Sequence, residues 1–231
     1  MNQILKKQRR WQKGVGLVEI AIALVVIGIL IGAALQGKHL IDQARLNAVI
    51  TDVQKIRINI QKFKEKYGFL PGDFPYASRD INASLSNGDG SGTLSGNPFL
   101  VSSSNGRFWA HLNAAEGMIP PSSSTLNYGD GLISCGLGGG YTIVSNPLED
   151  MSGLWIVLGS KANDSSGEGP LLTPEQAQYI NKKMDNGAPL TGNVRSLDAD
   201  RKTTGKCIID GRYNLSTSEK ACVMYFNIDE S

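Results

Sequence analysis

The apolar positions of the chain fall into two regimes. From Val15 to Leu35 the sequence reads VGLVEIAIALVVIGILIGAAL, apolar on every side and broken by one charge, Glu19. From Leu46 onward the apolar residues thin to a single stripe: Leu46, Val49, Val53, Ile56, Ile60, Phe63 and Tyr67, spaced alternately by three and four. That spacing marks one face of a helix. Asp52, Lys55, Arg57, Lys62, Lys64, Glu65 and Lys66 take the other faces, and Gly68 supplies a stop. Together the two regimes predict one helix from Val15 to Tyr67, on the order of 80 Å long at the α-helical rise per residue.

Beyond Gly68 the texture changes. Leu70-Pro71-Gly72-Asp73 is a turn signal, and residues 82 to 105, rich in Ser, Asn and Gly, read as loop. A short helix is expected from Phe108 to Glu116, where Phe108, Leu112 and Ala115 share a face. Tyr141 to Val144, Leu154 to Leu158 and Ala221 to Ile228 are strand candidates, each β-branched or aromatic and bounded by turn formers. Thr173-Pro174-Glu175-Gln176 opens another helix, with Thr173 as N-cap, Pro174 at the first helical position and Gln176 reaching back; it ends before Asn186-Gly187. The fold class predicted is α+β, with few strands and long loops.

Length and charge sharpen this picture. A chain of 231 residues holds one globular core plus an appended element. Its formal charge of +2 is unevenly placed, because Lys6, Lys7, Arg9, Arg10 and Lys13 precede the apolar run and no acid accompanies them. The remainder is net acidic, which argues against a generally nucleic-acid-binding surface. The apolar run matches the roughly 20 residues that cross a bilayer core, and the cations before it place residues after Leu35 outside the cytoplasm. On hydropathy alone, residues 1 to 35 are an uncleaved signal anchor, since no A-x-A site follows the run.

Glu19 does not suit a plain anchor. A carboxylate inside a span costs up to roughly 2.5–3.5 kcal/mol at the helix centre, so it asks for a partner. If the chain is cut after Gly14, the new amine of Val15 lies near the membrane boundary. The Glu19 carboxylate of one copy then pairs with the amine of a neighbour displaced along the axis, which sets the stagger between subunits.

Lys13-Gly14-Val15-Gly16-Leu17-Val18-Glu19 resembles the start of the type IV pilin and type II secretion pseudopilin superfamily, whose precursors carry a short basic leader ending in glycine and then a pattern close to F-T-L-I-E. Gly14 matches the leader's last residue, Leu17 and Val18 the apolar pair, and Glu19 the glutamate; Val15 stands for the usual phenylalanine and Gly16 for the threonine. The resemblance covers about residues 6 to 67. It implies a leader over 1–14, a transmembrane and assembly half-helix over 15–35, an amphipathic half over 36–67 and an extracytoplasmic head over 68–231. It also implies a long N-terminal helix packed on a small antiparallel sheet, cleavage between Gly14 and Val15 by a prepilin peptidase, methylation of Val15, and register set by Glu19. The partners implied are other pilin-like subunits, an assembly platform protein with its ATPase, and the bacterial inner membrane. The final location implied is a periplasmic pseudopilus or a surface pilus. The competing reading is a bitopic binding or adhesin domain on an uncleaved anchor.

Cys207 and Cys222 bracket a short polar segment and are the expected disulfide, with Cys135 left over, although three cysteines allow other pairings. The bracketed loop resembles the disulfide-closed region of pilins. Gly28 and Gly32 form a GxxxG pattern that permits close helix approach, and ordinary membrane-helix glycine usage accounts for it equally. Asp73, Asp80, Asp89 and Asp164 lie in loops, but Asn87-Gly88-Asp89-Gly90 lacks an EF-hand's closing acid and reads as a solvated turn. His39 and His111 are too far apart for a metal site, and Trp109 and Trp155 read as core. No GxSxG, HExxH or P-loop occurs, and Gly136 to Gly140 lacks a phosphate cradle's lysine, so neither catalytic residue nor cofactor is expected.

Overall fold

The computed structural model describes residues 16–117, 123–199 and 206–229; of residues 34–36, 38 and 39 only the helical backbone is described. The expected leader over 1–14 and the new terminus at Val15 lie outside the described residues. The chain divides into two compact units, Met1–Gln43 and Ala44–Ser231.

The predicted long helix forms as α1, Leu17–Tyr67, over 51 residues. Gly68 ends it in the left-handed region, φ 74°, where its N–H still donates to the Lys64 carbonyl at 2.8 Å. Lys64 and Lys66 in the last turn face the negative end of the helix dipole. Among the described residues no helix is long and apolar enough to cross a membrane. The span expected over 15–35 is described only in part: Val15 lies outside the described residues, and of 34 and 35 only the helical backbone is described.

In the second unit the predicted stripe is the core face. Leu46, Val49, Val53, Ile56, Ile60 and Phe63 are buried and Tyr67 is half-buried against them. The remaining elements are α2 (Ala77–Asp80), α3 (Ser104–Glu116), β1 (Asn127–Tyr128), β2 (Gly131–Leu132), β3 (Gly140–Ser145), β4 (Leu154–Gly159), α4 (Pro174–Met184), β5 (Val194–Asp198), β6 (Ile208–Ile209), β7 (Arg212–Tyr213) and β8 (Cys222–Asn227). The main sheet runs β3-β4-β8-β5 and is antiparallel throughout.

Its register sorts the side chains by the two-residue period of a strand. Ile143 opposes Ile156, and Ile156 in turn opposes Phe226; these belong to the same cluster as the α1 stripe. On the other face Val157 opposes Tyr225 and Leu197 opposes Val223, joined by Trp155, Met151 and Leu148. Both faces are covered, which is why the three predicted strands read as nearly unbroken apolar runs.

α4 forms as predicted. The Thr173 hydroxyl accepts from the Gln176 N–H at 3.3 Å while the Gln176 side chain accepts from the Thr173 N–H at 3.1 Å. α3 starts earlier than expected, at Ser104, because Ser103 caps it by accepting from the Gly106 N–H at 3.1 Å. Gly106 lies so close to Leu100 that a side chain there would meet its carbonyl at 2.0 Å. That first turn therefore packs through backbone and shows no apolar stripe. β5 was not foreseen: Arg195, Ser196 and Asp198 break its apolar pattern, and it sits at the sheet edge.

Candidate functional site

The first turn of α1 is built on Gly16, whose carbonyl accepts from the N–H of Glu19 at 3.0 Å and of Ile20 at 3.2 Å. Glu19 is exposed there, at the helix end where the dipole favours a negative charge. Around it the apolar side chains stand uncovered: Leu17 is 88% exposed, and Ile22, Leu24, Val25 and Leu30 are each above half. A side chain placed on Gly28 or Gly32 would meet nothing within 4 Å. A helix apolar all round is normally a buried helix. Each such leucine or isoleucine gains about 1.5–3 kcal/mol when taken out of water, so this surface is built to be covered. Gly14 and Val15 lie outside the described residues, so Glu19 alone of these three has a described place.

The disulfide joins Cys207 to Cys222, 15 residues apart in sequence with Cα atoms 5.1 Å apart. It ties the start of β8 to the β6–β7 hairpin, and closing a loop of that length contributes about 3 kcal/mol in the chain-entropy model. The Asp198 carboxylate accepts from the Cys207 N–H at 2.6 Å, anchoring the same point to β5. Cys135 is buried and unpaired, and its burial pushes the thiol above its ordinary pKa, which suppresses the reactive thiolate.

The loop aspartates do not share one role. Asp73 is only 2% exposed, and its carboxylate accepts from the N–H of Ser91 at 2.8 Å and of Gly92 at 2.9 Å. It is a buried organiser of the 73–92 loop, whereas Asn87, Asp89 and Gly90 are exposed, as expected of a solvated turn. Asp89 accepts from the Ser91 N–H at 3.1 Å, and hydrogen bonding by Ser91 holds its pKa below the ordinary range. Asp80 pairs with Arg79 at 2.6 Å, and Asp164 accepts from the Ser166 N–H at 3.0 Å. Among the described residues no three of His, Cys, Asp and Glu come together to hold a metal ion. A cleft of about 320 Å³ bordered by Ser84, Ser86, Val101, Ala110 and Ser124 has no titratable side chain among the described residues that line it. Trp109 and Trp155 are core residues, as expected.

Several polar residues that join α1 to the sheet were invisible in the sequence. Arg57 donates to the Asn227 carbonyl at 2.6 Å, Lys64 pairs with Asp229 at 3.2 Å, and the Tyr141 hydroxyl donates to the Asp52 carboxylate at 3.3 Å. Their partners lie far away in sequence; only the helical phase of Asp52, Arg57 and Lys64 beside the apolar stripe hinted at them. His111 likewise proves to be a fully buried, doubly hydrogen-bonded residue of α3. Comparison of the chain with family models, curated proteins and solved structures finds no match.

Proposed function

We propose that the chain is a structural, non-enzymatic subunit of a type IV filament, a pilin or pseudopilin, that polymerises through the N-terminal part of α1. The observation carrying this reading is the uncovered apolar helix with a single acid, Glu19, in its first turn. Lipid alone would cover Leu17, Ile22 and Leu30 but leaves a carboxylate without a partner; packing among identical helices covers both. In this reading a prepilin peptidase cuts after Gly14 and the new Val15 terminus is methylated. Before assembly, the subunit is held at the bacterial inner membrane by its apolar helix, with the second unit in the periplasm. A platform protein and its ATPase then drive it into a periplasmic pseudopilus or a surface pilus with other pilin-like subunits. The disulfide between Cys207 and Cys222 suits that oxidising compartment.

Intact-protein mass spectrometry of membrane-extracted material tests the reading. The expected mass lacks residues 1 to 14 and carries one added methyl group. A mass that retains the leader points instead to a binding domain on an uncleaved anchor and overturns the filament assignment.

A further inference from the structure

We propose that His111 is an acid-sensitive pin that holds the backbone of residues 72–92 against α3 and releases it when the imidazole takes up a second proton. The inference is independent of the filament reading.

The segment is docked by the buried side chains of Phe74 and Ala77 and, against α3, by its backbone. Gly72, at φ 81°, lies so close to α3 that a side chain there would fall 2.5 Å from the Ser104 carbonyl and 2.7 Å from the Phe108 nitrogen. Two α3 residues one turn apart, Arg107 and His111, then grip the segment at Gly72 and at Ser86 and Asn87. Arg107 donates to the Gly72 carbonyl at 3.2 Å and to the Asn87 carbonyl at 2.8 Å. His111 accepts from the Gly72 N–H on Nδ1 at 3.0 Å and donates from Nε2 to the Ser86 carbonyl at 2.7 Å.

These contacts define one protonation state. A backbone N–H only donates, so Nδ1 carries no proton; a backbone carbonyl only accepts, so Nε2 carries it. Protonating Nδ1 sets N–H against N–H and breaks the bond to Gly72, whereas the arginine grip does not titrate. The surroundings resist that second proton. The ring is buried and stacks on Phe63 of α1, with centroids 6.5 Å apart and planes at 18°. Arg107 adds positive charge on the same helix. Of the segment's carboxylates, Asp73 and Asp89 accept N–H groups from Ser91 and Gly92 and Asp80 pairs with Arg79, and the charge that acts on the ring is that of Arg107. Burial, first, holds the histidine below its ordinary pKa of 6.5; the hydrogen bond to the Ser86 carbonyl pulls the other way, and Arg107 adds to the lowering. The folded pKa is depressed, so the stabilisation is complete above pH 6.5 and is lost as pH falls through the folded value.

The test is hydrogen exchange on the full chain in detergent micelles, read by mass spectrometry and corrected for intrinsic rates. Between about pH 7.5 and about pH 5, protection of the 72–92 amides is expected to fall roughly tenfold or more while that of β4 and β8 holds. His111→Gln, which keeps a donor and an acceptor but does not titrate, should remove the pH dependence. NMR of unsubstituted protein provides a check independent of that variant's folding, since it should report the Nε2-protonated neutral tautomer for His111. Equal protection at both pH values, the same pH response in His111→Gln, or an Nδ1-protonated ring each overturns the proposal.

Discussion

The side-chain amide of Asn181 donates to the hydroxyl oxygen of Tyr213 at 3.0 Å, joining α4 to the disulfide-linked hairpin inside the core. Asn181 is fully buried and every polar atom it has is used: its two amide hydrogens are shared among Tyr213, the Ala188 carbonyl at 2.9 Å and the Val194 carbonyl at 2.8 Å, and its oxygen accepts from the Gly187 N–H at 2.8 Å. The Tyr213 hydroxyl in turn contacts Ser196 Oγ at 2.8 Å.

Removing this hub is costly because its partners stay buried. Asn181→Ala leaves the Val194 carbonyl and the Gly187 N–H without their side-chain partner, and each buried group left unsatisfied costs about 1–3 kcal/mol. A loss of about 3 kcal/mol is expected, measured as a lower urea midpoint with an unchanged denaturant slope. Tyr213→Phe removes only the hydroxyl and should cost about 1 kcal/mol. A loss for Asn181→Ala no larger than that for Tyr213→Phe would show that the amide is not the hub.

The elements that were legible in the sequence are those whose determinants are local. The spacing from Leu46 to Tyr67 defines the α1 face, the Thr173–Gln176 box defines the start of α4, and strands buried on both faces announce themselves as apolar runs. β5 is opaque because Ser196 is buried against Tyr213 and its polarity satisfies a partner 17 residues away. Asp73 is opaque for the same reason: its burial depends on N–H groups 18 and 19 residues further along. At the candidate site, the apolar run and Glu19 could be read directly, since that surface is defined by its own composition.

Asp52 offers a pH-dependent prediction. Partial burial, the largest influence, raises its pKa above the ordinary 3.8, while Lys55 and the Tyr141 hydroxyl pull it down. A folded pKa above the unfolded one means that the associated stability is complete below pH 3.8 and is lost as pH rises through the folded value. Asp52→Asn keeps an acceptor for Tyr141 but never ionises. Its stability relative to the unsubstituted protein should therefore improve as pH rises from the acid range and level off toward neutrality. Denaturation midpoints of both proteins across that range check this, and a relative stability that declines with rising pH contradicts it.

Glu19 provides the sharpest test of the filament proposal, because it is exposed in the first turn and a substitution there removes little more than its helix-dipole interaction, about 0.3–1 kcal/mol. Glu19→Ala should leave the second unit folded, the chain membrane-associated and the leader processed, yet reduce incorporation into filaments at least tenfold. The reasoning is that a charge pair formed between subunits in a low-dielectric interior is costly to leave half made. Gly14→Asp separates this from a processing defect: it should keep the precursor at full mass and abolish assembly at the earlier step. Filaments that incorporate Glu19→Ala at the normal level, with the leader removed, would eliminate the glutamate's pairing role while leaving the cleavage site standing. Full-length protein from both variants would place the failure at processing instead.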